Sequence, residues 1–285
     1  MQKIITKAVK YGVVAALLIL YIRYIAPWLH AQHAAIWFSA YVIVIVGFYW
    51  RSRRSLWAVR GNMAYINSQF ELSRIYLERA VKANVKSSMA YLYYAILLLR
   101  EGEATDDAFM ALEKAMKLKK NVLEERQILT TLGTCYWISG QVDKGIETLE
   151  DLRQTHDFVN ESVLTTLGYM YILKSDFDRA IELTNAAIEL SPQYAPAWDN
   201  LGQAYYKQGK IKEAKDNFLK ALSFKDGLAD SNYFLGKIYE DEGELPLALA
   251  QYKKAAICNI TAFNTIGADE VDEALKRLEQ ASSDS

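Results

Sequence analysis

Residues 195–228 read APAWDNLGQAYYKQGKIKEAKDNFLKALSFKDGL, which is one copy of a pattern that recurs between residues 161 and 262. Five columns of this pattern return at a 34-residue step in three successive copies. The columns are Leu167, Leu201 and Leu235; Gly168, Gly202 and Gly236; Tyr171, Tyr205 and Tyr239; Ala180, Ala214 and Ala248; and Ala187, Ala221 and Ala255. Chance does not keep five columns in register over three copies, so this part of the chain is built from repeats.

Each copy predicts a pair of packed helices. Leu201 and Tyr205 lie four residues apart and form an apolar stripe on the first helix, and Ala214 and Phe218 do the same on the second. The glycine and alanine columns are small because the two helices must approach each other closely at those positions. Pro192 lies between two copies, where it ends a helix that it cannot continue. One helical hairpin cannot bury its stripe alone, so neighbouring copies must stack.

The order of these positions in one copy resembles the tetratricopeptide repeat (TPR) family, whose pattern is W-x2-L-G-x2-Y followed by A-x3-F. The matching residues are Trp198, Leu201, Gly202, Tyr205, Ala214 and Phe218. The resemblance implies an all-α fold with a right-handed α-solenoid of about six repeats. The predicted repeats are residues 54–87, 88–122, 126–160, 161–194, 195–228 and 229–262, followed by a capping helix over 268–280 and a tail over 281–285. The second copy is degenerate, since Tyr94 and Ala95 stand where Leu and Gly are expected.

Two apolar runs precede the repeats. Residues 11–29 are interrupted only by Arg23, and residues 34–50 carry no charge. At about 1.5 Å per residue the second run spans roughly 25 Å, less than a bilayer core of about 30 Å, so the flanking His33 and Arg51 must complete it. We predict a transmembrane helical hairpin over residues 1–53. No Pro or Gly lies between Phe48 and Arg60, so the second run is predicted to continue into the first repeat.

The distribution of charge predicts the orientation of this hairpin. Residues 1–54 contain seven basic and no acidic residues, whereas the rest of the chain contains 26 basic and 34 acidic residues. The positive-inside rule places the N-terminus and the repeats on the cytoplasmic side of a cell membrane, and we expect a bacterial one. Arg23 is predicted to reach the membrane surface, although a charge within a span can also be functional. The acidic remainder argues against a nucleic-acid partner.

A cleaved signal peptide is the alternative reading of the first run. Lys3, Lys7 and Lys10 would form its basic region. Bulky residues such as Tyr24 and Trp28 stand where small cleavage-site residues are required, which favours a retained helix.

The sequence contains no motif for catalysis. There is no G-x-S-x-G elbow, phosphate-binding glycine loop, H-E-x-x-H or C-x-x-C. His30 and His33 have the spacing of a metal pair on a helix, but two ligands do not make a site. Cys135 and Cys258 are interpreted as small buried hydrophobic residues. We therefore predict no enzyme activity, no cofactor and no metal.

The TPR resemblance implies a concave groove, lined by fixed positions of the first helix of each repeat, that binds peptides or helices. Hydroxyls, amides and aromatic rings dominate these positions, so they can bond to an extended backbone and cover apolar side chains. The predicted contacts are Thr130, Thr134, Trp137, Thr165, Tyr169, Asn200, Gln203, Tyr206, Tyr233 and Lys237. The alternative is that these positions are exposed and polar but bind no partner.

The function predicted from these features is a non-enzymatic scaffold or adaptor, tethered to the membrane by two spans, that binds a segment of a partner protein in its cytoplasmic groove. The alternative is an accessory or assembly subunit of a larger membrane complex, recognised through the hairpin.

Overall fold

The computed structural model of this chain describes residues 15–16, 18–21, 23, 31–102, 105–155 and 157–283. This part of the chain contains helices and no strands. The helices from residue 31 onward are α1 (Ala31–Ile66), α2 (Phe70–Lys82), α3 (Ser88–Glu101), α4 (Thr105–Leu118), α5 (Val122–Ile138), α6 (Val142–Thr155), α7 (Glu161–Leu173), α8 (Phe177–Leu190), α9 (Ala195–Lys207), α10 (Ile211–Phe224), α11 (Ala229–Asp241), α12 (Leu245–Ala256) and α13 (Ala268–Ser283).

The chain divides into two compact units, residues 1–56 and residues 57–285. In the first unit, the side chains of residues 36–50 on α1 are exposed apart from the half-exposed Tyr41. Among the described residues, no helix is both long enough and apolar enough to cross a membrane. The predicted transmembrane hairpin is therefore not supported. Its second span, residues 34–50, falls short of the roughly 20 apolar residues that a bilayer requires, and most of its first span, residues 11–29, lies outside the described residues.

The helices form consecutive antiparallel pairs, as an α-solenoid requires. Asparagine side chains cap the N-termini of α5 and α7. The side chain of Asn121 accepts a hydrogen bond from the backbone N–H of Glu124 at 2.8 Å, and that of Asn160 accepts one from the backbone N–H of Val163 at 2.8 Å. The cap at Asn121 explains why α5 begins at Val122, four residues before the predicted start of the third repeat. At the other end of the chain, α13 continues to Ser283, into the predicted tail.

The turn inside each pair contains a residue with positive φ. Glycine holds this conformation at φ +73° to +78° in four turns, and serine holds it at 58° and 60° in two others. Only glycine adopts this region without a steric cost from Cβ. The six residues are Ser68, Gly102, Gly140, Ser175, Gly209 and Gly243.

The glycine column lies where the two helices of a pair meet, as the sequence predicts. A Cβ atom on Gly202 would lie 2.7 Å from Cδ1 of Phe218, and one on Gly236 would lie 2.6 Å from Cε1 of Tyr252. Both aromatic side chains are fully buried. The same close contact recurs between Gly61 and Leu77, Gly133 and Leu149, and Gly168 and Thr184.

The buried interior runs along the second unit from pair to pair. In α13, Val271, Ala274 and Leu278 are buried against the last pair, with 1%, 2% and 6% of their surface exposed. The intervening charged residues of this helix are exposed. The buried face of α13 covers the apolar end of the array, and its outer face is polar. A capping helix has these two features.

Candidate functional site

The predicted groove residues lie on the first helix of four successive pairs, namely α5, α7, α9 and α11. On α5, the hydroxyl of Thr130 donates to the carbonyl of Arg126 at 2.8 Å, and the hydroxyl of Thr134 donates to the carbonyl of Thr130 at 3.1 Å. Both hydroxyl protons are therefore donated to backbone carbonyls of the same helix. These two threonines offer a ligand acceptor lone pairs rather than donors.

Two aromatic residues of the predicted groove pack against each other between α5 and α7. The rings of Trp137 and Tyr169 meet edge to face, with their centroids 4.9 Å apart. Only 9% of Tyr169 is exposed, whereas the sequence predicted that it lines an open groove and contacts a bound segment. Burial raises the pKa of the Tyr169 hydroxyl, and the negative charges of Asp230 and Asp199 raise it further. Tyr169 is therefore part of the packing between two repeats.

Polar residues that are almost completely buried join α7 to α9. The side-chain amide of Asn200 donates to the backbone carbonyl of Thr165 at 2.8 Å. Each of these residues is 7% exposed. Within the described residues, no hydrogen-bond partner reaches the hydroxyl oxygen of Thr165 or the side-chain oxygen of Gln203, which is 1% exposed.

Asp199 lies beside Gln203 and was not among the predicted contacts. Its carboxylate accepts from Nε2 of Gln203 at 2.8 Å and from the hydroxyl of Ser231 on α11. Burial raises the pKa of Asp199 to about 7, the charge of Asp230 adds to this rise, and the two hydrogen bonds oppose it. A carboxylate buried among neutral donors is typical of a functional site. The one signal in the sequence is an acid at a groove position, with Gln203 four residues later.

The remaining predicted residues lie on α9 and α11. We call Thr165, Asp199, Asn200 and Gln203 the groove floor. The groove rim consists of Tyr206, Tyr233 and Lys237. The Lys237 ammonium lies 5.9 Å from the ring centroid of Tyr206 and 5.9 Å from that of Tyr233. These distances allow a weak cation–π attraction.

The structure thus brings the predicted residues together in three groups. Trp137 packs on Tyr169, Asn200 bonds to Thr165, and the three rim residues cluster. Thr130 and Thr134 bond within their own helix.

Groups that could supply metal or thiol chemistry are not assembled in the described part of the chain. No group of three or more His, Cys, Asp or Glu residues there could hold a metal ion. Cys135 is buried, and its burial, together with the charge of Asp106, raises the pKa of its thiol to about 12. His30 and His156 lie outside the described residues.

Family models identify the repeats directly. One model, described as a TPR repeat, matches residues 168–209, and a second, described as a tetratricopeptide repeat, matches residues 195–227. The chain therefore contains TPR repeats. A comparison with curated proteins found no match.

Solved structures with the same fold cover most of the chain. A tetratricopeptide repeat protein from Parabacteroides merdae matches with a TM-score of 0.65 and 16% identity, over 80% of this chain and 85% of that one. TTC0263, a thermophilic TPR protein of Thermus thermophilus, matches with a TM-score of 0.56 and 20% identity, over 68% and 100%. The APC/C hetero-tetramer Cut9–Hcn1 matches with a TM-score of 0.61 and 20% identity, over 80% of this chain. This chain spans 43% of the length of that matched chain. At these identities the likeness shows the fold alone.

Proposed function

We propose that this chain is a non-enzymatic scaffold, tethered to a membrane, whose groove binds a segment of a partner protein on the cytoplasmic side. TPR repeat proteins typically mediate protein–protein interactions as scaffolds, and their fold is generally non-catalytic. The observation that carries the proposal is the row of polar and aromatic side chains at the groove positions of α5, α7, α9 and α11, in which the side-chain oxygens of Thr165 and Gln203 have no hydrogen-bond partner within the described residues. A buried polar atom without a partner costs roughly 1–3 kcal/mol, which a bound partner group would recover.

The chemistry of the groove floor indicates what the partner segment must offer. The side-chain oxygen of Gln203 and the carboxylate of Asp199 are acceptors, and the unpaired hydroxyl of Thr165 can accept or donate. They suit the N–H groups of an extended backbone or of a basic side chain. The half-buried rings of Tyr206 on α9 and Tyr233 on α11 suit the apolar parts of the same segment.

Exposed apolar residues on α1 support the membrane tether. Ile43 and Val44 are 70% and 68% exposed, and Ile36 and Phe38 are each 66% exposed. Because successive residues of a helix point about 100° apart, this exposure extends around the helix. Arg51, Arg53 and Arg54 follow, with no acidic residue before them in the chain. An apolar helix with a basic end suits a bilayer whose cytoplasmic side receives the arginines, as in a bacterial plasma membrane.

The same exposed residues favour a second candidate function. Trp37, Phe48 and Trp50 are 54%, 51% and 58% exposed and offer large rings for contact with another protein. In this case the chain is an accessory or assembly subunit that docks onto an integral membrane protein through residues 1–53.

Photo-cross-linking from single positions of the full chain distinguishes the two functions. A photoreactive residue replaces Tyr233 on the groove rim, Lys212 on the exposed face of α10, or Val44 on α1. The scaffold predicts a discrete protein adduct from position 233, none from 212 and lipid adducts from 44. A protein adduct from 44 together with none from 233 would contradict the scaffold and support the subunit.

A further inference from the structure

Each repeat packs against the repeat before it through a fixed position of its first helix. Met170 on α7 shows this contact, since a Cβ atom on Gly145 of α6 would lie 2.9 Å from the Cε atom of Met170. The same position is buried in every repeat from the second to the sixth, with at most 4% of the residue exposed. Its occupants are Leu97, Cys135, Met170, Ala204 and Ile238.

In the first repeat this stacking position is uncovered. It is Met63 on α1, which is 59% exposed, and among the described residues no repeat precedes it. Val59 and Ile66 lie four residues before and three residues after Met63, on the same side of the helix, and are 56% and 68% exposed. A terminal repeat normally turns a polar face outward, as α13 does at the other end of the array. The first repeat instead presents an apolar one.

This uncovered face also carries a positive charge. Arg60 lies one turn before Met63, at the position that the leucine column occupies in the last three repeats. Those leucines are at most 5% exposed, whereas Arg60 is exposed. Its guanidinium lies 5.8 Å from the ring centroid of Tyr76, and no carboxylate of the described residues forms an ion pair with it. We call Val59, Arg60, Met63 and Ile66 the open face.

The charge of Arg60 determines which occupant fits the open face. Residues 1–53 contain no acidic residue, so the preceding part of the chain cannot neutralise it. A second copy that packed through the same face would bring two Arg60 side chains together, and like charges oppose association. The other end of the array does not fit either, because the outer face of α13 is charged. The fitting occupant is a different protein that supplies a carboxylate.

The first repeat as a whole attracts such a partner. Residues 54–87 contain six basic and two acidic residues, whereas residues 88–285 contain 21 basic and 32 acidic residues. Complementary charge speeds the encounter of two proteins and suppresses wrong pairings. An acidic partner is therefore directed to the first repeat and away from the rest of the array.

We propose that the open face binds an amphipathic helix of a partner protein, which carries an acidic residue within its apolar stripe. The helix takes the place that the second helix of a preceding repeat takes elsewhere in the array. Its apolar side chains cover Val59, Met63 and Ile66, and its carboxylate accepts two parallel hydrogen bonds from the guanidinium of Arg60. The predicted groove lies on the third to sixth repeats, so this surface does not depend on the groove.

Photo-cross-linking of the full chain in expressing cells tests the open face. A photoreactive p-benzoylphenylalanine replaces Met63, and mass spectrometry maps the residues that it captures. The matched control carries the same residue in place of Met110, a methionine of α4 that is 62% exposed but does not lie on the open face. We expect position 63 to capture a helical segment with an acidic residue on its apolar side, and position 110 not to capture this segment.

A charge reversal tests the role of Arg60 in the same cells. Arg60→Glu should lower the yield of the adduct from position 63 at least tenfold. Lys86→Glu is the control, because it changes the charge of the same repeat equally at an exposed residue outside the open face, and it should leave the yield within twofold. Lysine in place of the mapped acidic residue of the partner should restore the adduct of Arg60→Glu.

The alternative occupants give different products. Lipid adducts, adducts with a second copy of the chain or with its own residues 1–53, or no adduct from position 63 would each overturn the proposal. So would an adduct that Arg60→Glu and Lys86→Glu affect equally, or one that the lysine in the partner does not restore. If Arg60→Glu does not fold, Arg60→Gln removes the charge without reversing it, and an unchanged yield in that variant would contradict the proposal in the same way.

Discussion

Asp199 shows how one buried carboxylate can make this array sensitive to pH. Its own helix supplies Gln203, α11 supplies Ser231 as a donor and Asp230 as a second negative charge, and α7 supplies Tyr169. Neither hydrogen-bond donor carries a positive charge. Burial therefore disfavours the ionised form of Asp199, and its pKa rises to about 7.

We expect Asp199→Asn to stabilise the protein more at pH 8 than at pH 5, and least below pH 4. The pKa of an aspartate in an unfolded chain is about 3.9, so between pH 4 and 7 the folded protein binds more protons at this position than the unfolded chain. Its contribution to stability is therefore present at low pH and lost as the pH rises through 7. The neutral amide avoids this loss, and the variant should be more stable at pH 8 by roughly 2–4 kcal/mol.

Urea unfolding of the wild type and the variant at both pH values tests this expectation. Asp216→Asn is the control, since Asp216 is exposed on α10. An equal loss of stability at both pH values would show that the two hydrogen bonds of Asp199 outweigh the cost of burying its charge.

At the scale of the helix pair, the glycine column determines how closely the two helices approach. Gly202 faces Phe218, whose ring is fully buried and stacks on Phe234 with the centroids 5.5 Å apart and the planes 4° from parallel. Phe218 cannot move away from an added methyl group without disturbing the next repeat.

We expect Gly202→Ala to destabilise the array by about 1–3 kcal/mol, the usual cost of adding a methylene-sized group to a packed core. Gly227→Ala is the control, because no atom lies within 4 Å of the Cβ that it would add. Thermal unfolding of the two variants compares them directly. If Gly202→Ala and Gly227→Ala lower the melting temperature equally, the close approach of α9 and α10 at Gly202 does not contribute to stability.

The sequence predicts the helix pairs because their contacts recur at fixed spacing, and the close contact of Gly202 with Phe218 follows from those columns. It does not predict that Ser68 and Ser175 take the left-handed conformation that glycine holds in the other turns. In the candidate site, the polar character of the groove positions is predictable from the TPR resemblance. The burial of Tyr169 is not, because a repeat position does not say how closely neighbouring first helices approach.

At the scale of the whole repeat array, the approach of the last repeat to an early one cannot be predicted from any local sequence pattern. It depends on the rotation from each repeat to the next, which accumulates over the array. The contact between Ala262 and Arg100 joins the end of the sixth predicted repeat to the second, although the two are far apart in this series. Ala262 ends the sixth predicted repeat and residues 263–267 lie beyond it, so the repeat pattern does not predict that this loop contacts Arg100.

The tether proposal makes a prediction about α1 in the full chain. Ile43 lies near the middle of the apolar run and is 70% exposed. An arginine at the centre of a membrane helix costs about 2.5–3.5 kcal/mol on the insertion scale. We therefore expect Ile43→Arg to move a large fraction of the protein from the membrane fraction to the soluble fraction of expressing bacteria, as measured by flotation followed by carbonate extraction.

Leu190→Arg is the matched control for this experiment, since Leu190 is an apolar residue of the repeat array with 56% of its surface exposed. It should leave the wild-type distribution unchanged, because the array is proposed to lie outside the bilayer. Membrane retention of Ile43→Arg at the wild-type level would show that lipid does not surround α1 at this position. If the wild-type chain does not float with membranes, the tether proposal is wrong. The groove would then bind its partner in solution, without the higher local concentration that tethering provides.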